Sequence, residues 1–211
     1  MSISAQPAAD GIPAKSFAHF TPDDVRALVA EFPLAWVSTP CGPIALASQL
    51  PLVGEYDEAG RLSALIGHLA CANPLAEALA AQRRSTILFS GPSGYVSPQY
   101  AGRRDWAPTW NYTQLKILAD IEIGPDITPL ALKVLIDASE HGRPEPWRVE
   151  EISSRYERMA AAIVGFRATV TTLEGKFKLG QDEHIDTLGH ILATHPDPDL
   201  VRWMRRFNPG A

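Results

Sequence analysis

The sequence contains few cysteines and no long apolar run. Only Cys41 and Cys71 occur among its 211 residues, and they form no CxxC pair. A disulfide-stapled secreted scaffold is therefore disfavoured, and a cytoplasmic protein with reduced thiols is expected. No stretch approaches the roughly 20 apolar residues of a membrane-spanning helix, so no membrane partner is predicted. Residues 1–16 lack the basic and apolar regions of a signal peptide and are predicted to be a disordered tail.

The sequence also lacks an excess of basic residues. Its formal net charge is −5, whereas tight nucleic-acid binding normally needs a basic face that neutralises phosphates. The densest basic cluster is Arg202, Arg205 and Arg206, which is typical of a solvated helix face. No direct nucleic-acid motif is present, so nucleic acid is not predicted as a direct partner.

Common catalytic motifs are missing as well. There is no Walker A loop, no GxGxxG between a strand and a helix, no HExxH and no GxSxG elbow. The six histidines do not cluster at metal-ligand spacing. The residues alone therefore assign neither catalytic residues nor a metal site.

The hydrophobic pattern alternates between strands and helices. Strands are predicted over 34–39, 44–53, 61–69, 85–90, 110–123 and 165–173. Helices are predicted after the N-cap Thr21 and over 75–82, 129–141, 152–163, 183–193 and 198–207. Gly91-Pro92-Ser93-Gly94 is predicted to be a tight turn, and 98–108 an irregular loop. This order favours an α+β fold with a barrel-like sheet and peripheral helices.

Four segments have compositions that suit a flat ligand. The first places His68 just before a helix start at Asn73-Pro74, where free N–H groups can hold an anion. The second, 89–98, contains two glycines and several hydroxyl groups, including that of Ser97. The third, Trp110-Asn111-Tyr112, offers rings for stacking. In the fourth, strand alternation puts Lys176 and Lys178 on one face. Each segment could also be purely structural, and the interpretation depends on their co-occurrence.

Together these segments resemble the FMN-binding negative transcriptional regulator family (PaiB-type) from about residue 17 to 181. The motifs that carry the resemblance, in order, are Phe32-Pro33-Leu34-Ala35, Leu50-Pro51-Leu52, Gly67-His68 with Asn73-Pro74, Gly91-Pro92 with Ser97-Pro98, Pro108-Thr109-Trp110-Asn111-Tyr112, and Lys178-Leu179-x-Gln181. The resemblance implies a split β-barrel of the FMN-binding type, as a homodimer with cofactor sites at the subunit interface. It implies a cofactor-binding domain over 17–181, followed by a C-terminal helical extension over 182–211.

The resemblance also implies a set of residues that contact FMN. They are His68, Asn73, Ser97, Trp110, Asn111, Lys178 and Gln181. The helix start at Asn73, or Arg83 and Arg84, would meet the phosphate. The sequence departs from the family pattern at four positions, Gln49, Cys71, Lys116 and Gly180. At three of them an imidazole or a hydroxyl group of the family is lost.

Three functions stay open at this point. The first is an FMN-binding regulator or sensor. The second is a haem-dependent enzyme, because the motifs also resemble piperazate synthases, which form an N–N bond. In that case His68 would be the axial ligand of haem b. The third is a cofactor-free dimer that has kept the barrel and lost the site.

Overall fold

The computed structural model describes residues 17–41 and 44–211. The helices and strands follow each other in a mixed order along the chain. They are α1 (Pro22–Glu31), β1 (Leu34–Cys41), β2 (Ile44–Tyr56), β3 (Leu62–Ala70), α2 (Pro74–Ala81), β4 (Arg84–Val96), β5 (Thr109–Gly124), α3 (Thr128–Glu140), α4 (Ser153–Ala160), β6 (Ile163–Lys178), α5 (Ile185–Thr194) and α6 (Pro198–Phe207). Every predicted strand and helix has a counterpart, although several boundaries differ.

The six strands form a closed barrel in the order β1-β2-β3-β6-β5-β4. The ladders from β1 to β2, β2 to β3, β3 to β6 and β1 to β4 are antiparallel. All four of these ladders are antiparallel, whereas a doubly wound sheet is built from parallel pairs joined by helical crossovers. The predicted α+β split-barrel fold is confirmed.

The chain forms two compact units. The larger contains residues 20–91 and 114–175, and the described part of the smaller contains 17–19, 92–113 and 176–211. Strands β4, β5 and β6 contribute residues to both. The domain boundaries implied by the resemblance, 17–181 and 182–211, stay a prediction.

Alternation along β1 separates the inside of the barrel from its outside. Ala35 and Val37 are fully buried, whereas Leu34 and Trp36 are about half exposed. On β3, Gly67 lies where the interior is most crowded. A Cβ atom there would be 2.5 Å from Leu52 Cδ2, so only glycine fits without movement of this side chain. The next residue, His68, therefore points to the outer face of the barrel.

Helix α3 covers part of that outer face. Gly165 pairs with His68 across β3 and β6, and its amide N–H donates a hydrogen bond of 2.9 Å to Thr128 Oγ1 at the start of α3. A Cβ atom at position 165 would lie 2.7 Å from the Thr128 Cα atom. Because glycine stands there, the backbone of α3 approaches the sheet beside His68.

Several of the predicted boundaries are wrong, most clearly in β4, α4 and β6. Residues 91–94 form no turn, because β4 continues through them to Val96 and neither glycine has a positive φ. Every second residue of β4 is buried as far as Ile87 and Phe89, but the next buried residue is Pro92. The alternation thus shifts by one position, as it does at a β-bulge. The helix predicted over 152–163 ends at Ala160, after a 3₁₀ turn at Val149–Ile152. Strand β6 extends past the predicted end at 173 as far as Lys178.

The smaller unit has its own aromatic core. Trp203 on α6 lies 6.2 Å from Phe177 and 6.3 Å from Phe207 between ring centroids, and all three rings are nearly parallel. The side chain of Asp197 caps α6 by accepting hydrogen bonds from Asp199 N and Leu200 N. Burial of these rings holds the C-terminal helices against the end of β6.

No helix in the described ranges is long and apolar enough to cross a membrane.

Candidate functional site

An exposed aromatic pair lies at the ends of β4 and β5 in the smaller unit. The side chain of Trp110 is 58% exposed and that of Tyr95 is 46% exposed. Their ring centroids are 5.9 Å apart and their planes are tilted by 60°. Both residues follow the strand alternation, because Asn111 and Val96, the next residues along each strand, are buried. The pair forms a surface on which a planar ring can stack. We call Tyr95 and Trp110 the aromatic platform.

Lys178 contacts the start of β5, one residue before Trp110 in the chain. Its Nζ donates a hydrogen bond to Thr109 Oγ1, on the residue that precedes Trp110. Lys176 lies on the same face of β6, with Nζ 5.3 Å from the centroid of the Tyr112 ring. The buried Phe177 between them points the other way, as the sequence pattern predicted. Both lysines therefore contact the segment 109–112, Lys178 through Thr109 and Lys176 through Tyr112.

A hydrogen bond between Trp106 and Glu183 ties the loop after β4 to the segment after β6. The indole Nε1 donates to Glu183 Oε2 at 2.9 Å. Burial raises the pKa of the Glu183 carboxyl, while the Trp106 hydrogen bond lowers it; Asp182 adds to the rise and the charge of Lys178 opposes it. Sequence analysis did not identify either residue as part of the site. The one sequence signal for this contact is a tryptophan in an otherwise polar loop.

Two amides predicted to bind the cofactor are already used by the protein. Asn111 is 2% exposed and its Nδ2 donates to Met204 Sδ at 3.6 Å. Gln181 accepts from Leu179 N at 2.7 Å and donates to Phe177 O at 2.6 Å. These contacts assign both side chains a structural role within the smaller unit. Their contact with FMN stays a prediction.

Ser97 follows β4 in the same unit. Its Oγ accepts a hydrogen bond of 3.2 Å from Gln99 N, in a local turn. Within the part of the chain that the structure describes, the hydroxyl hydrogen has no acceptor. Ser97 therefore keeps the capacity to bind a ligand oxygen.

His68 lies in the larger unit, on the outer face of β3. Its Nδ1 is buried and has no hydrogen-bond partner among the described residues. Burial lowers the pKa of the imidazole, since the charged form loses its hydration. Burial therefore favours the neutral form of the ring, and its Nδ1 can still form a hydrogen bond. A buried polar atom of this kind suits a ligand contact.

Asn73 also lies in the larger unit, where it caps α2. Its Oδ1 accepts from Leu75 N at 3.0 Å, and its Nδ2 donates to Ser48 Oγ at 3.0 Å. The cap already satisfies one of the amides at the helix start. Arg84, one of the two arginines predicted to meet the phosphate, forms an ion pair with Asp120 at 3.2 Å.

The four departures from the family pattern have different structural settings. Gln49 and Cys71 are exposed, and Lys116 Nζ pairs with Glu174 Oε2 at 3.1 Å. Gly180 has a φ of 86°, and a Cβ atom there would lie 3.1 Å from both Leu188 and Met204. Glycine at this position is thus explained by backbone conformation and by packing against α5 and α6.

Residues 12–172 match the model of a family described as "Putative FMN-binding domain". The chain belongs to this family. The match covers most of the barrel and includes His68 and Trp110, whereas Lys178 and the C-terminal helices lie beyond it. FMN, the cofactor predicted from the sequence, is confirmed at the level of the FMN-binding family.

The chain is also similar to two curated proteins and to one solved structure. An uncharacterised protein of Emericella nidulans is 30% identical over 75% of this chain and 79% of its own length. The protease synthase and sporulation protein PAI 2 of Bacillus subtilis is 26% identical over 57% of this chain and 58% of its own length, which confirms the resemblance to PaiB-type proteins. The FAD and heme binding protein of Mycobacterium smegmatis superposes with a TM-score of 0.56 at 18% identity, covering 82% of this chain and 78% of that one. At this identity the superposition establishes a shared fold.

The described side chains fit a flavin. The aromatic platform suits a planar ring system, and Lys178 suits an anionic group beside it. His68 offers an unpartnered ring nitrogen. Trp110 and Lys178 belong to the smaller unit, and His68 and Asn73 to the larger.

Proposed function

We propose that this protein of the FMN-binding family is a flavin-dependent sensor or regulator. One observation carries the proposal. A half-exposed aromatic pair, Tyr95 and Trp110, lies in the same compact unit as Lys178, whose Nζ contacts the residue that precedes Trp110 in the chain. Exposed aromatic rings suit the planar ring of FMN, and a lysine in the same unit suits its anionic phosphate.

In this proposal the remaining predicted residues have distinct roles. Bound FMN would supply one- and two-electron redox chemistry. Ser97, whose hydroxyl hydrogen has no acceptor among the described residues, would donate it to the ligand. His68 stays a predicted contact, through a nitrogen that none of the described residues bonds. Asn111 and Gln181 would act by positioning β5 and the end of β6, because their amides are already hydrogen-bonded within the protein. Asn73, the N-cap of α2, would orient the first turn of this helix so that its free N–H groups can bind an anion.

Regulation would be indirect. The net charge of −5 and the absence of a nucleic-acid motif from the sequence argue against direct binding to DNA. The protein would transmit the state of its flavin to a protein partner or respond to a metabolite. A cytoplasmic location, expected from the sparse cysteines, is part of this proposal.

We also propose that the protein works as a homodimer. Leu34 and Trp36 on β1, and Leu88 on β4, share an outer face of the larger unit, and Trp36 is the direct cross-strand neighbour of Leu88. All three are more than a third exposed. An apolar patch on a sheet face is a feature of interaction surfaces. A second copy of the chain is the partner implied by the resemblance.

A haem-binding enzyme of the piperazate-synthase kind is the second candidate, and one observation favours it. The imidazole of His68 is neutral because of its burial, and its Nδ1 has no partner among the described residues. A neutral imidazole is the usual axial ligand of haem iron. The aromatic platform and Lys178 favour FMN over this alternative.

Absorption spectroscopy of the purified full chain, with separate titrations of FMN and hemin, tests the proposal. Saturable FMN binding, with a perturbed flavin band near ~450 nm, is the expected result. His68→Ala should then weaken FMN binding without abolishing it. Saturable hemin binding that His68→Ala abolishes would support the enzyme alternative instead. Binding of neither cofactor would leave a cofactor-free dimer.

A further inference from the structure

The insertion between β5 and β6 contains a cleft that the flavin proposal does not use. The cleft has a volume of about 580 Å³ and is bordered by α3, the connection over 141–149 and α4. All of its lining residues belong to the larger unit. This volume lies within the range of small-molecule sites.

The lining of the cleft combines charged residues with four large apolar or aromatic side chains. Leu132 and Ile136 lie on one face of α3, Trp147 belongs to the connection, and Tyr156 comes from α4. All four side chains are partly buried and partly accessible. Such walls suit an aliphatic or aromatic side chain, because burying it removes apolar surface of both partners from water.

Hydrogen bonds fix the connection that forms one wall. Trp147 N donates to Glu140 Oε2 at 2.9 Å, which ties the connection back to the end of α3. Arg148 N donates to Glu151 Oε1 at 2.9 Å, at the start of the 3₁₀ turn. Gly142, with a φ of 75°, lets the chain reverse after α3. These backbone hydrogen bonds fix Trp147 and Arg148 at the edge of the cleft.

Most charged groups at the cleft are already paired. Lys133 and Asp137 form an ion pair with each other. Glu140 accepts the Trp147 amide and lies 3.6 Å from Arg143. Among the described residues, the side chains of Arg148 and Glu150 have no hydrogen-bond or ion-pair partner, although both line the cleft. Two unpaired charges of opposite sign, two residues apart, would match a ligand that carries both charges itself.

We propose that this cleft binds a free α-amino acid with an aliphatic or aromatic side chain. The guanidinium of Arg148 binds the carboxylate, and the carboxylate of Glu150 binds the ammonium group. The ligand's side chain lies against Trp147, Tyr156 and Leu132. The cleft shares none of the residues predicted to contact FMN, so binding here does not require bound FMN.

Isothermal titration calorimetry of the full chain with L-phenylalanine and L-leucine tests this proposal. Both are expected to bind saturably. N-acetyl-L-phenylalanine, which lacks the ammonium group, and phenethylamine, which lacks the carboxylate, should each bind at least ~10-fold more weakly, because each leaves one charged group unpaired. The proposal would be overturned if either analogue bound as tightly as L-phenylalanine. It would also be overturned if neither amino acid bound at millimolar concentration.

Substitutions then assign the binding to the cleft. Arg148→Gln and Glu150→Gln should each weaken L-phenylalanine binding at least ~10-fold. Both side chains are exposed, so circular dichroism and thermal unfolding should be unchanged. Arg158→Gln, which removes an exposed arginine of α4 outside the lining, should bind as the wild type does. Wild-type affinity in both cleft variants would place the amino acid elsewhere and contradict the proposal.

Discussion

The side-chain amide of Asn111 donates a hydrogen bond to Met204 Sδ at 3.6 Å and is almost completely buried. The two residues join β5 to α6, so Asn111 connects the strand of Trp110 to the C-terminal helices. The alternation of β5 directs Asn111 inward where Trp110 is directed outward. This contact makes Asn111 a structural residue of the smaller unit.

Asn111→Ala is therefore expected to destabilise the protein. Loss of the buried amide removes its hydrogen bond and leaves a void, at a cost of about 1–3 kcal/mol. Urea unfolding of the apoprotein measures the change. The exposed Gln114, on the same strand, provides the control, and Gln114→Ala should change stability by less than about 0.5 kcal/mol. Unchanged stability with lost FMN binding would instead make Asn111 a direct cofactor ligand.

Gly180→Ala tests the explanation of this departure from the family pattern. A side chain at a φ of 86° is strained, and its Cβ would press on Leu188 and Met204. We expect a loss of about 1–2 kcal/mol in the free energy of unfolding. Gly189→Ala is the matched control, because Gly189 lies within α5 and has open space around it; alanine there should be neutral or stabilising. Equal effects of the two substitutions would refute a special role for Gly180.

The burial of His68 predicts a pH dependence of stability. Its pKa is lowered in the folded protein, so the unfolded chain binds the proton more readily. The stability contributed by the neutral ring is fully present above the ordinary histidine pKa of about 6.5 and is lost as the pH falls below it. Between about pH 7 and pH 5, the urea midpoint of the wild type should therefore fall more steeply than that of His68→Gln. Parallel pH profiles would show that His68 titrates as an exposed histidine does.

Trp36→Glu tests the proposed homodimer. A charge in the centre of the apolar patch would be buried in both copies on association, so the variant should be monomeric. Sedimentation equilibrium over a range of protein concentrations measures this. Leu130→Glu, which alters an exposed leucine of α3 outside the patch, should leave the association unchanged. A variant that still dimerises would move the interface to another surface.

The sequence predicted the fold better than it predicted the site. Turn residues, caps and alternation located each strand and helix, because those signals are local. The continuation of β4 through residues 91–94 was missed, since Gly91 and Gly94 are as typical of a turn as of a strand that must admit close neighbours. The reason for a glycine at position 94 is not local. A Cβ atom there would lie 2.8 Å from Leu200, which is more than a hundred residues later in the chain.

Site residues were harder to predict for the same reason. Alternation already separated the exposed Trp110 from the buried Asn111, yet both appeared as ligands because they share one motif. The hydrogen bond from Trp106 to Glu183 joins residues 77 positions apart and has no local pattern. The cleft beside Trp147 depends on a backbone contact to Glu140, which the sequence does not reveal.

A titration of FMN into the full chain, wild type and Trp110→Ala, tests the central claim most directly. Quenching of flavin fluorescence reports binding, and Trp147→Ala serves as the control for removal of an indole. The wild type and the control should bind FMN saturably and equally well. Trp110→Ala should bind roughly 5- to 150-fold more weakly, the range expected when stacking on one aromatic side chain is lost, with unchanged unfolding because the ring is 58% exposed. No saturable binding by the wild type, or equal affinity in all three proteins, would contradict the account.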